Sequence, residues 1–198
     1  MKTIEVLCSE LTTGATNALF EKSESNAAGT MRLLTGSSVN LNGEIVEDQL
    51  SPVTIAEGKS IQRFLLQEGD VVLLAKGNSI RAGYVTERIA KLNVIASANF
   101  VLLRPNQKEL LGEVLVALFN SPAGQSMLDA ASTGSTIKNI NLANLRKMEI
   151  ELPALSKQQE IAELFHASNH AYSATINLAE QQKKVAMACI SQLIKGAA

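Results

Sequence analysis

The sequence contains two cysteines, Cys8 and Cys189, which lie near its opposite ends. Two thiols cannot form a disulfide framework, or a zinc site with four thiolate ligands, within one chain. We therefore expect both cysteines to be reduced and structural. No apolar run reaches the ~18 residues that a membrane span requires. Residues 1–4 lead into Glu5 rather than into the apolar region of a signal peptide, so we expect a cytoplasmic protein.

The sequence also lacks the common catalytic motifs. It contains no G-x-G-x-x-G, no G-x-S-x-G and no Asn-Pro-Pro-aromatic sequence of the kind that amino-methyltransferases use to hold a flipped base. Asp48, Glu57 and Lys59 have the D…E-x-K order of a Mg²⁺-dependent nuclease. His166 and His170 have the helical spacing of two metal ligands. Both patterns are more often solvated surface side chains, so we expect no enzymatic activity, no metal site and no cofactor.

The formal net charge of −1 argues against strong nonspecific binding of nucleic acid. The charges are, however, segregated along the chain. Residues 10–57 contain seven acidic and two basic residues, whereas residues 59–108 contain eight basic and three acidic residues. A domain with this distribution can present a basic face while its total charge stays near zero. Alternatively, the two sets of charges interleave in the fold.

The first hundred residues have the pattern of a mostly β domain with Gly- or Asn-bearing turns. The run VVLLA is continuously apolar, as in a strand that is buried on both faces. The dipeptide Asn42-Gly43 suits the positive φ angles of a hairpin turn. Strands are predicted at residues 4–8, 31–42, 45–46, 71–75, 80–86 and 99–104. Such a series is typical of a compact, irregular sheet or partial barrel.

After Pro105 the pattern becomes helical. Apolar residues recur at helical spacing over residues 109–120, which predicts an amphipathic helix. Ser121-Pro122 ends that helix and begins a second one that ends at Thr133. Residues 156–195 contain neither proline nor glycine, so they predict one further helix, about 60 Å long at ~1.5 Å per residue.

A narrow apolar stripe follows this long helix, and we predict that it forms a dimerisation surface. A domain of ~150 residues is roughly 35–40 Å across, so a helix of this length is expected to project beyond it. An exposed, projecting apolar stripe requires a partner helix. The stripe consists of Ile161, Phe165, Tyr172, Ile176, Ala179, Ala186, Ile190 and Leu193.

Two polar loops contain side chains that can bind the edges of DNA bases. The first carries Lys76, Asn78, Ser79 and Arg81, and the second carries Ser135, Thr136, Lys138, Asn139 and Asn141. Arginine and lysine donate to guanine, asparagine pairs with adenine, and serine and threonine bind bases or phosphates. The alternative is that asparagine, serine and glycine are present only because they favour turns.

Residues 134–165 have the sequence GSTIKNINLANLRKMEIELPALSKQQEIAELF. This stretch resembles the end of a target recognition domain and the following helix in the specificity (S) subunits of type I restriction-modification systems. The segment LQEGDVVLL at residues 66–74 is similar to the L-x-x-G-D-[IV] strand of that family. Residues 7–14 and 98–104 fit its opening segment and its later half.

The resemblance implies a mixed α/β (α+β) fold. It implies an irregular, mostly β target recognition domain with a few short helices at residues 1–153, and a long C-terminal coiled-coil helix at residues 154–198. Full S subunits carry two such domains and two such helices in about twice this length. This chain therefore looks like a half-length subunit that restores the arrangement as a homodimer.

The function implied by the resemblance is sequence-specific binding of double-stranded DNA at a bipartite site. The expected protein partners are a DNA methyltransferase (modification) subunit and, in some complexes, a restriction subunit. The candidate DNA contacts are Arg32, Lys76, Asn78, Ser79, Arg81, Ser135, Thr136, Lys138 and Asn139. The alternative is a protein-interaction adaptor in which the β domain binds a polypeptide, the helix mediates assembly and DNA has no role.

Overall fold

The computed structural model describes residues 1–21, 31–77, 79–133 and 138–196. The chain divides into two compact units, Met1–Ala162 and Glu163–Ala198. The strands are β1 (Lys2–Thr3), β2 (Cys8–Thr13), β3 (Met31–Leu34), β4 (Ser51–Val53), β5 (Val71–Leu74), β6 (Lys76–Gly77), β7 (Arg81–Tyr84), β8 (Val94–Ala96), β9 (Phe100–Pro105), β10 (Ser132–Thr133), β11 (Lys138–Ile140) and β12 (Glu149–Ile150). The α-helices are α1 (Ile4–Leu7), α2 (Glu87–Ala90), α3 (Gly112–Asn120), α4 (Pro122–Ala131), α5 (Leu142–Lys147) and α6 (Leu155–Gly196). The fold is therefore mixed α/β with a long C-terminal helix, as predicted.

A four-stranded antiparallel sheet with the order β2-β9-β5-β7 is the centre of the first unit. Strand β5 lies between β9 and β7, and all four of its residues are buried. Val72 is opposite Leu102 on one side and Gly83 on the other. The predicted strand over residues 71–75 is thus confirmed, and its continuous apolar sequence follows from burial on both faces.

The main hydrophobic core lies against this sheet. Phe100 and Leu102 from β9 pack with Val72 and Leu74 from β5 in one buried cluster. Helix α3 covers β7 and buries Leu115 and Phe119 completely. The helix predicted over residues 109–120 is confirmed, although it begins at Gly112.

Helix α4 begins where the sequence predicts. Pro122 is the first helical residue, and the Ser121 hydroxyl oxygen accepts a hydrogen bond of 3.1 Å from the Gly124 amide. Proline suits this position because the first amides of a helix have no intrahelical partner. Asn141 caps α5 in the same way, by accepting a hydrogen bond of 2.8 Å from the Ala143 amide.

The strand predicted at residues 4–8 is wrong, because Ile4–Leu7 is a short helix. Ile4 and Leu7 are both fully buried, whereas Val6 is 67% exposed. Two buried residues three positions apart fit one face of a helical turn. A run of only five residues does not distinguish this spacing from a strand by its apolar content alone.

The turn at Asn42-Gly43 is present, but the strands around it are shorter than predicted. Gly43 has a φ of +80°, and the Asn40 side chain accepts hydrogen bonds of 2.9 Å from the amides of Asn42 and Glu44. The predicted strand over 31–42 ends at Leu34, because residues 36–38 form a 3-10 turn. Strand β3 belongs to a three-stranded sheet with the order β4-β3-β8.

The long helix α6 is continuous over 42 residues, which at ~1.5 Å per residue makes it about 63 Å long. Its first turns are fixed by Gln158, which is 1% exposed. The Gln158 side chain accepts a hydrogen bond of 3.0 Å from the Leu111 amide and donates one of 2.9 Å to the Glu109 carbonyl. Within the described residues, no helix is long and apolar enough to cross a membrane.

Candidate nucleic-acid interface

The fold brings the two predicted polar loops together. Strand β6 of the first loop pairs antiparallel with β11 of the second, in a three-stranded sheet with the order β10-β11-β6. Lys76 is opposite Asn139, and Gly77 is opposite Lys138. The Ile140 amide donates a hydrogen bond of 2.9 Å to the Ala75 carbonyl, which anchors the pair to the end of β5.

One row of exposed polar side chains crosses this sheet. Thr133 is opposite Asn139, and Asn139 is opposite Lys76. Residues directly opposite each other on neighbouring strands project to the same face of a sheet. All three are exposed, whereas the neighbouring Ile140 is buried and holds β11 in place. We call Thr133, Asn139 and Lys76 the polar row; it combines a hydroxyl, an amide and an ammonium group.

Thr133 is a candidate residue that the sequence analysis missed, because it was interpreted there only as the end of a helix. Its hydroxyl donates a hydrogen bond of 3.3 Å to the Asn139 carbonyl. The antiparallel pairing of β10 with β11 places it beside the second polar loop. The feature of the sequence that could have identified it is its position next to Gly134, at the start of that loop.

Lys138 lies beside the polar row in a different environment. Its ammonium group forms an ion pair with the Asp129 carboxylate at the end of α4. The two side chains are 40% and 48% exposed. Exposed pairs of this kind contribute little to stability, so the lysine can exchange its partner for a phosphate at small cost.

Arg81 and Ser79, also predicted as DNA contacts, are hydrogen-bonded to each other. The Arg81 Nη1 group donates a hydrogen bond of 2.5 Å to the Ser79 hydroxyl oxygen. The same guanidinium donates to the carbonyl oxygens of Val39 and Gly36. The Arg81 side chain is therefore directed into the fold by three internal acceptors.

Of the remaining predicted DNA contacts, the structure describes only Arg32. Arg32 is exposed on β3, opposite Pro52 and Val94, and so belongs to a different sheet from the polar row. Asn78, Ser135 and Thr136 lie outside the described residues. The structure thus joins Lys76, Lys138 and Asn139 in one sheet and places Arg32 in another.

Two arginines of the basic segment are paired with acids of the acidic segment, as in the interleaved alternative. Arg104 donates hydrogen bonds of 2.8 and 2.9 Å to Asp70 and one of 2.5 Å to Glu10. Arg88 forms an ion pair of 2.5 Å with Glu47. Arg104, whose side chain is 21% exposed, is therefore not available to a basic face, whereas the Arg88 side chain is 81% exposed and remains at the surface.

The Asp70–Arg104 pair is a titrating site of the first unit with shifted pKa values. Burial raises the pKa of the Asp70 carboxyl above its ordinary value of 3.8, while hydrogen bonds from Arg104 and Gln67 oppose that shift. The hydrogen bond with Asp70 raises the pKa of Arg104, which keeps the guanidinium cationic. Burial, together with the nearby Asp70 charge, raises the pKa of the Cys8 thiol to about 12, so that thiol is protonated at neutral pH.

The described structure does not group the residues of the nuclease pattern or of the metal-ligand pattern into a site. Asp48 is in a 3-10 turn over Glu47–Gln49, while Glu57 and Lys59 flank Gly58 in an exposed turn. His166 is exposed on α6, with its ring 5.5 Å from that of Phe165. Across the part of the chain that the structure describes, no three His, Cys, Asp or Glu side chains are grouped so that they could share a metal ion.

The predicted dimerisation stripe on α6 is exposed over most of its length. Tyr172, Ile176, Ile190 and Leu193 are 53%, 43%, 48% and 74% exposed. Ala179 and Ala186 are also exposed. Other apolar side chains of α6 are exposed too. At helical spacing Met187 and Ile194 lie beside the stripe, whereas Leu178 and Val185 lie away from it.

The first two residues of the predicted stripe differ from the rest. Ile161 is half-buried and lines an apolar groove of about 260 Å³ in the first unit, together with Leu110, Leu118 and Leu152. Phe165 is also half-buried. Of the residues predicted for dimerisation, those from Tyr172 onward are thus the exposed ones.

The sequence model of the type I restriction modification DNA specificity domain matches residues 6–186 of this chain. No curated protein sequence matches significantly. Three solved structures are similar over 92% of the chain. They are the S subunit of a type I restriction-modification system from M. genitalium (16% identity, TM-score 0.55), the HsdS subunit from Thermoanaerobacter tengcongensis (16%, 0.58), and a structure concerned with complex assembly and conformational transition of the type I R-M system (17%, 0.60).

At these identities the likeness shows the fold alone. The chain spans 42% of the M. genitalium S subunit and 45% of each of the other two chains. It is therefore less than half as long as each of these three chains.

Proposed function

Because the chain belongs to the family of type I restriction-modification DNA specificity domains, we propose that it recognises a specific DNA sequence as a half-length specificity subunit. Residues 1–153, which belong to its first unit, act as a single target recognition domain. The observation that carries the proposal is the polar row, in which Lys76, Asn139 and Thr133 lie side by side on an exposed sheet. The proposed domain boundary is that of the sequence analysis, with the recognition domain at residues 1–153.

The chemistry of the polar row suits a DNA groove. Asparagine can donate to and accept from adenine, lysine can bind guanine or a phosphate, and a threonine hydroxyl can bind either. Lys138 and Ser79 flank the row and add a cation and a hydroxyl. Arg32, on the separate sheet, is proposed to contact the phosphate backbone, and Asn78, Ser135 and Thr136 to complete the two loops.

We further propose a homodimer that forms through α6. The exposed stripe from Tyr172 to Leu193 is an apolar surface on a helix, and such a surface is stabilised when another helix covers it. A two-fold dimer uses the same surface of both copies. Two recognition domains related by such an axis would bind a bipartite, palindromic site.

Catalysis is assigned to other proteins. The chain would direct a DNA methyltransferase subunit, and in a complete system a restriction subunit, to the bound site. A cytoplasmic location follows from that role, since the host DNA is there.

The test measures binding of double-stranded DNA by Lys76→Ala and Asn139→Ala. Each full-length variant is assembled with the modification subunit and titrated with a duplex selected by the wild-type complex from a random library. We expect Lys76→Ala to weaken binding and to reduce the slope of log K against log salt by about one, because one cation–phosphate contact is lost. Asn139→Ala should relax the preference for one base pair.

Lys59→Ala is the matched control, because Lys59 is an exposed lysine in the turn at Gly58, away from both polar loops in the sequence. It should bind like the wild type. Unchanged binding by both Lys76→Ala and Asn139→Ala would contradict the proposed surface. If the wild-type complex retains no DNA at all but still captures polypeptides, the adaptor alternative is correct.

A further inference from the structure

Arg81 has a specific arrangement of hydrogen bonds. Each of its three side-chain nitrogens donates within the chain: Nε to the Val39 carbonyl oxygen at 2.7 Å, Nη1 to the Ser79 hydroxyl oxygen at 2.5 Å, and Nη2 to the Gly36 carbonyl oxygen. The side chain is half-buried. One guanidinium thus connects residues 36–39 with the first polar loop.

The segment over residues 36–39 is held in place by buried contacts. Its Ser38 is fully buried and donates a hydrogen bond of 2.7 Å to the Gln49 carbonyl. Val39 is 1% exposed and belongs to the main hydrophobic core. A side chain that is bonded to this segment is therefore fixed relative to the core of the first unit.

On the other side, Arg81 is bonded to Ser79 of the first polar loop. Strand β6 of that loop is also held by the hydrogen bond of 3.2 Å from the Lys76 amide to the Asn99 carbonyl and by its pairing with β11. Ser79 is exposed, and it lies between β7 and the two-residue strand β6, which carries Lys76. Gly77 in β6 has a φ of +149° and no side chain. The bond from Arg81 to Ser79 is thus a direct link between the polar loop and the core.

A direct contact of Arg81 with DNA would disrupt this arrangement. To read a guanine, the guanidinium would have to turn its planar edge outward. The Val39 carbonyl would then lose its donor beside the core, and an unsatisfied buried carbonyl is costly. The geometry therefore favours an Arg81 side chain that keeps its three hydrogen bonds within the chain.

We propose that Arg81 is a positioning residue for target specificity: it holds Ser79 at a fixed place against residues 36–39, beside the Lys76 strand, and does not itself contact DNA. This inference rests on the proposed function, because specificity has meaning only if the polar row binds DNA. It assigns to Arg81 a role different from the DNA contact that its sequence position predicts.

The two roles have different consequences for binding. A DNA contact by Arg81 would contribute a positive charge, so Arg81→Ala would lower the salt slope, and Arg81→Lys would largely restore it. A positioning arginine depends on its planar group of donors, which lysine lacks. Arg81→Lys and Arg81→Ala would then have the same effect, and neither would change the salt slope.

The experiment uses the full chain with its modification subunit. It measures affinity for the selected duplex and for a scrambled duplex of the same length, over a series of salt concentrations. We expect Arg81→Lys and Arg81→Ala each to reduce the ratio of the two affinities by roughly tenfold or more, the effect of about one lost base-pair preference. The salt slope and the affinity for the scrambled duplex should stay those of the wild type.

Several outcomes are distinguishable. A salt slope reduced by about one in Arg81→Ala and restored in Arg81→Lys would show that Arg81 contacts DNA, and would overturn the positioning role. An unchanged affinity ratio in both variants would overturn it as well. If Arg81→Ala does not fold, Arg81→Lys and Arg81→Gln provide the same comparison. Unchanged binding by the Lys76→Ala and Asn139→Ala variants would instead refute the DNA surface itself.

Discussion

Asn139 lies directly opposite Lys76 on the paired strands β11 and β6. These two residues come from loops that are far apart in the sequence, and this pairing turns both loops into one surface. The exposed amide and ammonium groups on a short sheet are the basis of the proposed DNA interface. Several consequences can be measured on the isolated chain.

The first prediction concerns the dimer. Replacing both Ile176 and Ile190 with aspartate puts charges into the exposed stripe of α6, where burial of an unpaired charge is strongly unfavourable. We expect the mass measured by sedimentation equilibrium to fall from that of a dimer to that of a monomer. Gln181→Asp, at an exposed polar position on the same helix, should remain dimeric. A wild-type chain that is monomeric at high concentration would refute this prediction.

The second prediction concerns the buried pair of Arg104 and Asp70. Arg104→Met leaves the fully buried Asp70 carboxylate without its partner, so the free energy of unfolding at neutral pH should fall by about 3–5 kcal/mol. Arg88→Met is the control. It removes an ion pair whose arginine side chain is 81% exposed, and should cost at most about 1 kcal/mol.

The pH dependence of the Arg104→Met variant follows from the pKa of Asp70. Burial already raises that pKa above 3.8, and removing the cation raises it further. A group whose pKa is raised on folding stabilises the fold when protonated. The loss of unfolding free energy in the variant should therefore be absent below the ordinary pKa of Asp70. It should reach its full size above the raised pKa of that carboxyl. Urea titrations from pH 3 to pH 8 measure it, and a deficit that does not change with pH would contradict this account.

The third prediction concerns the two cysteines. Burial raises the pKa of the Cys8 thiol to about 12, and the thiolate is the species that reacts with alkylating agents. Cys189 is exposed on α6. Iodoacetamide at pH 8 should therefore modify Cys189 quickly and Cys8 only after unfolding, as followed by mass spectrometry of the intact chain. Equal labelling rates of both thiols in the folded protein would contradict the raised pKa of the half-buried Cys8.

The fourth prediction concerns the junction between α3 and α4. A Cβ atom on Gly124 would be 1.8 Å from the Leu118 carbonyl oxygen, so Gly124→Ala requires the two helices to shift. We expect this variant to lose about 1–3 kcal/mol of unfolding free energy. A Cβ atom on Gly196, at the end of α6, meets nothing within 4 Å, and Gly196→Ala should be nearly neutral. Equal thermal stability of the two variants would show that the junction tolerates the displacement.

Local signals in the sequence predicted much of the fold. The apolar run over residues 71–75 is a buried strand, Pro122 begins a helix, and the proline-free stretch after Pro153 is a single helix. Each of these signals depends on neighbours in the sequence. The helix at Ile4–Leu7 was missed because five residues contain too little periodicity to separate a turn of helix from a strand.

The arrangement of the site required the tertiary structure. Sequence chemistry identified Lys76 and Asn139 as polar loop residues, but not their pairing, because strand partners are set by long-range contacts. It also grouped Arg81 with the DNA contacts, since a sequence cannot show that a guanidinium is bonded to carbonyls more than forty positions away. Thr133 entered the polar row only through the pairing of β10 with β11.

The most direct test of the central claim is the symmetry of the DNA site. The chain and its modification subunit are used to select duplexes from a random library, and the enriched sequences are aligned. Two identical recognition domains related by a two-fold axis should enrich the same short half-site twice, in inverted orientation with a fixed spacer. Enrichment of a single unrepeated motif, or of no motif, would contradict the proposal that two copies of this chain read DNA together.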